Sequence, residues 1–257
     1  MLCFAAITPH PPVLIPAIGK DKITAVAKTK KALQTLEQEL YLSKPQIIII
    51  ISPHSSLFPD SFSVNAHTHF NSNFEEFGDV ATKKKWHGAT DLAAKIAHAS
   101  RGGQIALQLV SNPQLDHGAA VPLFYLTEHL PEVKILPLGY SHISASDHLL
   151  YGELLKNLIM ESDKRIAVIA SGDLSHGLDG RDGGERKNFD QELQTIISRR
   201  AVANLMFLEE RAALADECGY RSIMILIGII KNMDYGFKVH CYEHPFGVGY
   251  LTGSFSF

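Results

Sequence analysis

Three histidines follow three predicted strands at the point where each strand ends. His10 lies in TPHPP, His54 ends QIIIIISPH, and His176 ends RIAVIASGDLSH. Prolines beside the first two histidines stiffen the exits of their strands. Because open α/β sheets bind ligands beyond the carboxyl ends of their strands, we expect these imidazoles to share one site.

A fourth histidine, His117, lies in LDHGAAVP, where we expect a loop before a helix that begins near Val121. A single histidine after a strand is more often a hydrogen-bonded structural residue than a ligand. Four imidazoles at one sheet edge are difficult to satisfy without a metal ion or a substrate, so their recurrence favours a shared site. Asp116 and Asp173 either orient these histidines or cap loops.

The other nine histidines lack this position after a strand, and we expect surface or structural roles for them. They are His67, His69, His87, His98, His129, His142, His148, His240 and His244. His67 and His69 share one strand face, a spacing that can bind metal but is weak evidence by itself. His244, beside Glu243, is the one among them that we expect to approach the shared cavity.

Short runs of branched residues that end in turn residues predict the buried strands that must position these histidines. The runs are residues 2–7, 46–52, 105–110, 134–139 and 165–170. Amphipathic patterns predict helices over residues 21–42 and 146–162, and residues 237–243 and 248–257 are predicted closing strands. We expect the charged, glycine-rich segment 179–187 to be a mobile surface loop that acts as a lid.

Length and composition favour one α/β domain over residues 1–257, with three αβα layers around a mainly parallel or mixed sheet. The 257 residues are 46% apolar and 20% charged, which is ordinary globular composition. A net charge of −3 gives no reason to expect a nucleic-acid or membrane partner, and the substrate should be small. Three cysteines far apart, with no signal peptide or membrane span, predict a soluble cytoplasmic protein.

Six motifs in order resemble those of the class III extradiol ring-cleavage dioxygenases of the LigB type. They are PHPP at 9–12, SPH at 52–54, LDHG at 115–118, SGDLSH at 171–176, ECGYRS at 217–222 and YEHPFGVGY at 242–250. The resemblance extends over almost the whole chain. Within that superfamily, the chain looks most similar to the branch called AmmeMemoRadiSam system protein B, which is related to Memo proteins.

This resemblance implies a non-haem Fe(II) site made of two histidines and a carboxylate, with positions open for substrate and oxygen. His10 and His54 match the two histidine ligands. His176 matches the catalytic acid–base histidine, and His117 matches a histidine that faces substrate and oxygen. The implied reaction is ring cleavage of a small catechol-like aromatic substrate with O2.

The third metal ligand is open at this point. Ungapped alignment of the resemblance puts the family carboxylate on Cys218, the residue type of Memo-like relatives, while Glu217 lies one position earlier. Adjacent helical residues point about 100° apart, so the two cannot both occupy one ligand position. Glu217 would give an Fe(II) triad, and Cys218 would favour Zn, Cu or a redox role. Glu243 is a third candidate for this ligand position and is less favoured than Glu217 and Cys218.

Two other functions compete with the dioxygenase. One is a Memo-like metal-binding or redox interaction protein that works with a radical SAM partner and has no dioxygenase activity. The other is a zinc hydrolase, although the chain lacks HExxH and GxSxG. A homo-oligomer is compatible with each of these functions.

Overall fold

The computed structural model describes residues 1–103 and 105–257. In these residues the chain alternates between strands and helices, as predicted for an α/β fold. The strands are β1 (Leu2–Thr8), β2 (Ile47–Ser52), β3 (Phe62–Asn65), β4 (His69–Ser72), β5 (Lys85–Gly88), β6 (Leu107–Val110), β7 (Gln114–Leu115), β8 (Lys134–Gly139), β9 (Ile166–Ser171), β10 (Gly236–Glu243) and β11 (Tyr250–Ser256).

The α-helices are α1 (Pro16–Gly19), α2 (Ala27–Leu42), α3 (Thr90–Ser100), α4 (His117–Leu126), α5 (Ala145–Glu161), α6 (Gly183–Ser198), α7 (Val202–Leu205), α8 (Glu209–Ala215) and α9 (Tyr220–Ile230). Short 3-10 helices cover Pro12–Leu14, Lys20–Val26, Glu75–Phe77, Met206–Leu208 and Pro245–Gly247.

One mixed sheet runs through the molecule in the order β10-β11-β1-β9-β2-β8-β5-β4-β7, and β3 pairs with both β8 and β6. The centre is parallel, since β1, β9, β2 and β8 pair side by side in the same direction. Antiparallel pairs of β10 with β11 and of β11 with β1 extend one edge. The strands β1, β9 and β2 are therefore neighbours, and their carboxyl ends meet at one edge of the sheet.

Helices cover both faces of this sheet and give the three-layer αβα architecture. On one face, α2 and α4 pack against alternate strand residues such as Ile48 and Ile50. On the other, residues of α3, α5, α6 and α9 share one buried core with Ile49 and Ile51. Because β2 is buried on both faces, its sequence is continuously apolar rather than alternating, as parallel central strands require.

The predicted lid at 179–187 is wrong in its second half, because residues from Gly183 onward form the first turn of α6. Glu185 lies in that first turn, where a carboxylate is favoured by the helix dipole. Arg186 also anchors the turn, since its Nη1 donates to His176 O at 2.6 Å. The helix expected near Val121 instead begins at His117.

Among the helices of the described residues, none combines the length and the apolar character needed to cross a membrane.

Candidate metal centre

Three histidines meet beyond the carboxyl ends of the central strands. His10 follows β1, His54 follows β2, and His117 begins α4. The Nε2 atoms of His10 and His54 are 3.1 Å apart. In the described part of the chain, ring nitrogens of all three histidines lie within 4.8 Å of one another. We call this group the histidine cluster.

His10 is the buried member of the histidine cluster, with 2% of its surface exposed. Its Nδ1 lies 2.9 Å from the Ser171 hydroxyl at the end of β9. Its backbone N–H donates to Asp173 Oδ1 at 2.8 Å. Ser171 ends β9, the strand that pairs with β1, and Asp173 follows two residues later, so the pairing of the two strands fixes the position of this ring.

His54 and His117 are held together by a short chain of polar contacts. The backbone N–H of His54 donates to Ser52 Oγ at 3.2 Å, and the Ser52 hydroxyl donates to the Asp116 carboxylate. Asp116 also caps α4 by accepting from Ala119 N at 3.0 Å, which places His117 in the first turn. The two imidazole rings stack with centroids 4.2 Å apart.

The surroundings keep His10 and His54 of the histidine cluster neutral. Burial, followed by the nearby rings of His54, His117 and His176, holds the pKa of His10 well below its usual value. Partial burial and the charges of His117 and His176 lower the pKa of His54 to about 4. Neutral imidazole is the form that binds a metal ion, so the rings of His10 and His54 are in the ligating state near pH 7.

The donor set fits a transition-metal ion. Two nitrogens bound at about 2.1 Å to one cation, at roughly a right angle, lie about 3 Å apart, which agrees with the measured 3.1 Å between the two Nε2 atoms. Cys218 Sγ lies 3.7 Å from His10 Nε2, so a third donor type borders the same space. His54 is exposed, which leaves an open side for a substrate.

Glu217 and Cys218 lie in the loop between α8 and α9 rather than on a helix as expected, and they have different surroundings. Cys218 faces His10, and the backbone N–H of Asp173 donates to its Sγ at 3.3 Å. Glu217 accepts from the backbone N–H of Tyr220 and so caps the start of α9. Burial raises the pKa of the Cys218 thiol, and burial raises the pKa of Glu217 to about 8. Glu243 caps a different helix, since Thr29 N in α2 donates to it at 2.8 Å.

His176 borders the histidine cluster, since its charge acts on both His10 and His54. Its Nδ1 is buried and has no hydrogen-bond partner within residues 1–103 and 105–257. An unpaired buried nitrogen costs free energy, so the position is suited to a group that arrives with the substrate. Its backbone N–H donates to Ala215 O at 3.0 Å, which fixes the loop that carries it.

The structure adds contacts to this site that the sequence analysis missed. Glu76 Oε1 lies 3.4 Å from His117 Nδ1, and the ring of Phe77 meets that of His117 edge to face at 5.1 Å. Both residues come from a 3-10 turn between β4 and β5 whose sequence has no chemical motif. Ser52 and Ser171, by contrast, lie within the motifs SPH and SGDLSH, and their position at the ends of buried strands was a readable signal.

The remaining histidines stay outside the histidine cluster. His69 and His87 are cross-strand neighbours with ring centroids 5.0 Å apart, and His67 contacts Ser111. His244 lies beside Tyr242, with ring centroids 6.2 Å apart.

A cavity of about 790 Å³ lies at the opposite end of the strands, between the start of β2, the start of β8 and the first turn of α3. None of the clustered histidines lines it. We place the candidate site at the histidines because the donor atoms and the perturbed pKa values gather there.

The sequence matches the family model described as the catalytic LigB subunit of aromatic ring-opening dioxygenase over residues 4–253. The chain belongs to the LigB family. LigB extradiol dioxygenases are metal-dependent, which agrees with a cluster of histidines at the strand ends. The resemblance to this superfamily is thereby confirmed, at the level of the family.

LigB relatives with recorded names include extradiol dioxygenases. The chain is 26% identical to 4,5-DOPA dioxygenase extradiol of Beta vulgaris, over 72% of this chain and 71% of the relative. It is 35% identical to a 2,3-dihydroxyphenylpropionate/2,3-dihydroxicinnamic acid 1,2-dioxygenase of Klebsiella pneumoniae, over 34% of this chain and 29% of that enzyme. These distant LigB relatives favour dioxygenase activity.

Two further similarities concern length and fold. A Clostridium acetobutylicum protein that carries only a locus name is 28% identical over 94% of this chain, and the chain spans 55% of that protein's length. The crystal structure of an uncharacterized protein from Escherichia coli K12 superposes with a TM-score of 0.66 at 16% identity, covering 98% of this chain and 99% of that one. The second similarity concerns the fold alone, which the two chains share over nearly their whole lengths.

Proposed function

We propose that this chain is a non-haem Fe(II)-dependent extradiol dioxygenase that cleaves a catechol-like aromatic ring with O2. The observation that carries the proposal is the histidine cluster, three imidazoles whose ring nitrogens lie within 4.8 Å of one another in a chain of the LigB family. We further propose that residues 1–257 act as one catalytic domain, in the cytoplasm.

His10 and His54 would hold the metal ion through their Nε2 atoms. A bound Fe(II) would supply a template for the catechol and O2 and a path for electrons from the catechol to O2. His54 is exposed while His10 is buried, so a substrate approaches from the side of His54. Zn or Cu would fit the same nitrogens, which makes the identity of the metal an experimental question.

His176 is the proposed acid–base catalyst, because its buried Nδ1 lacks a partner beside the histidine cluster. It would accept a proton from a catechol hydroxyl and return one at the ring-opening stage, as an imidazole can near neutral pH. His117 would hydrogen-bond the substrate hydroxyl or oxygen. Its contact with Glu76 supports this role, since a carboxylate beside one ring nitrogen orients the other.

For the third position, Cys218 is favoured over Glu217. The thiol already lies 3.7 Å from His10 Nε2, whereas the carboxylate of Glu217 would have to release the backbone N–H of Tyr220. Burial raises the pKa of both groups, so their protonation does not separate the two candidates, and the comparison rests on their positions. Glu243 is the weakest candidate, because its carboxylate is held by Thr29.

The second candidate function is a Memo-like redox or metal-binding protein that works with a radical SAM partner. The contact between Cys218 and His10 is the observation that favours it, since a thiolate ligand suits Zn or Cu better than O2-activating Fe(II). The distant dioxygenase relatives favour the first function. The Memo-like branch and a homo-oligomer are part of this second proposal.

The proposal is tested by metal analysis and by turnover. We expect His10→Ala and His54→Ala to lose stoichiometric metal, and His176→Ala to keep metal but lose turnover. Anaerobically iron-loaded protein, given a panel of catechols, should consume O2 and form a yellow ring-opened product. His98→Ala is the matched control, because His98 is an exposed histidine of α3 outside the histidine cluster.

Full metal occupancy in His10→Ala would overturn the metal site. Metal binding without O2 consumption on any catechol would instead favour the Memo-like function.

A further inference from the structure

A buried chain of polar atoms leads from the interior of α4 to the ring of His10. Pro122 lies inside α4 and has no backbone N–H. The carbonyl of Gly118, four residues earlier, therefore lacks the helical donor that it would otherwise accept from. The Ser171 hydroxyl takes that place and donates to Gly118 O at 2.5 Å.

This donation fixes what Ser171 can do towards His10. A serine hydroxyl has one proton, and the geometry assigns that proton to Gly118 O. The Ser171 oxygen, 2.9 Å from His10 Nδ1, is left as an acceptor only. His10 Nδ1 must then carry a proton and donate it, and the lone pair of the neutral ring lies on Nε2.

We propose that Ser171 is a positioning residue that fixes the tautomer of His10, and that Pro122 sets the direction of this hydrogen bond by freeing the Gly118 carbonyl. The Nε2 lone pair of His10 is thereby directed towards the side of His54 Nε2, which is 3.1 Å away. A cation bound there would contact both nitrogens. Ser171 has no exposed surface, so water does not offer its hydroxyl an alternative partner.

The hydrogen bonds that join Gly118, Ser171 and His10 lie in a closely packed region around Gly118. A Cβ added at Gly118 would overlap the Ser52 hydroxyl and would lie 3.1 Å from Cδ2 of His54. Ser52 belongs to the other polar chain, which holds His54 through its backbone. Gly118 therefore lets α4 approach the ends of both strands. Its carbonyl accepts the Ser171 proton and so acts on His10, and its lack of a Cβ leaves room for His54.

The tautomer does not depend on the proposed function, but its consequence for metal affinity rests on the proposed role of His10 as a ligand. An outer hydrogen bond that fixes the tautomer of a ligating histidine typically changes metal affinity by about 10-fold to 100-fold. We therefore expect Ser171→Ala to weaken metal binding by that factor. The ring would keep its place between β1 and β9 but lose its preferred tautomer.

The test is the ¹⁵N spectrum of the imidazoles in metal-free protein, with the His10 signal assigned by its loss in His10→Ala. Wild-type protein should show the Nδ1–H tautomer, and Ser171→Ala should show a mixture of tautomers. Pro122→Ala gives α4 a new N–H for Gly118 O, so the Ser171 proton is released and the His10 tautomer should again become mixed. Metal dissociation constants of the same proteins come from competition with a chelator, using Zn²⁺ as the probe.

Ser222→Ala is the matched control, because it removes a buried serine hydroxyl that has no partner in the described chain. It should leave both the His10 spectrum and the Zn²⁺ affinity unchanged. A wild-type His10 with its proton on Nε2, or a Ser171→Ala spectrum identical to wild type, would overturn the inference. Retention of metal by His10→Ala would overturn the proposed function and leave the tautomer result standing.

Discussion

At the scale of single residues, Glu217 and Cys218 are neighbours that the structure gives different tasks. Glu217 accepts from the backbone N–H of Tyr220, the first residue of α9, and losing such a hydrogen bond typically costs about 1 kcal/mol. We expect Glu217→Ala to lower the free energy of unfolding by about that amount while it keeps stoichiometric metal. Cys218→Ala should instead weaken metal binding, because its thiol borders His10 Nε2. Urea denaturation and chelator competition measure the two effects.

Cobalt substitution gives this comparison a second measurement. A thiolate bound to Co²⁺ produces a charge-transfer absorption that imidazole and carboxylate ligands do not. That absorption should be present in Glu217→Ala and absent in Cys218→Ala. The opposite pattern, with metal lost only from the Glu217 variant, would make the carboxylate the third ligand.

His148 is a buried histidine away from the cluster, and it should make stability depend on pH. Burial, with a smaller contribution from Arg221, lowers its pKa to about 4, against about 6.5 in an unfolded chain. Below pH 6.5 the unfolded state therefore binds a proton that the folded state does not, and stability falls until about pH 4. Between pH 7 and pH 5 this loss amounts to about 2 kcal/mol.

The measurement is urea denaturation of wild type and His148→Gln at the two pH values. The variant should lose about 2 kcal/mol less than wild type between pH 7 and pH 5, whatever its own stability at pH 7. Equal losses in the two proteins would show that the folded His148 is protonated as easily as the unfolded one.

The histidines at the strand ends could be predicted from the sequence, but the loop residues that contact them could not. His10, His54 and His117 could be brought together in advance, because the carboxyl ends of parallel strands meet at one edge. The contact of Glu76 with His117 could not, since it depends on how a 3-10 turn folds back over α4. The sequence therefore predicts which residues gather at the strand ends, but it does not predict which loop residues contact them.

At the scale of elements, apolar runs predicted the central parallel strands closely and most of the short outer strands not at all. The strand predicted at 134–139 is β8, and the strand at 46–52 differs from β2 by one residue. Strands β3, β4, β5 and β7 were missed because they are only two to four residues long, and all of them except the buried β3 also alternate between exposed and buried positions. Their stability comes from pairing across the sheet, which a local pattern does not contain.

Helices α5 and α9 cross at two glycines, and this contact should tolerate no side chain. A Cβ added at Gly228 would overlap Leu149 O and lie 2.9 Å from the Cα of Gly152. We expect Gly228→Ala to destabilise the fold by about 1–3 kcal/mol, since overpacking outweighs the roughly 1 kcal/mol that alanine gains in helix propensity. The free energy of unfolding in urea measures this change.

Gly184 provides the matched control for that substitution. It lies in the first turn of α6, and an added Cβ there meets nothing within 4 Å. Gly184→Ala should stabilise the protein slightly, by about 0.5–1 kcal/mol. If Gly228→Ala proved equally stabilising, the two helices would have room to separate, and the close crossing would not be required for the fold.

At the scale of the whole molecule, the order of strands explains why distant parts of the sequence meet. His10 and His54 are 44 positions apart, yet β1 and β2 are separated in the sheet only by β9. The α/β class was predictable from the alternation of strands and helices. The antiparallel edge made by β10 and β11 was not, because closing strands near the end of a chain can pair on either side of a parallel sheet.

Since the histidine cluster joins β1, β2 and α4, a metal ion should stabilise the fold as a whole rather than one loop. A ligand that binds only the folded state at 100 times its dissociation constant raises the free energy of unfolding by about 2.7 kcal/mol. We expect this gain in wild type and in His98→Ala with Zn²⁺ added, and no gain in His10→Ala. Hydrogen exchange should show added protection in all of the central strands. Protection confined to residues next to His54 would mean that the ion binds at the surface without connecting the strands.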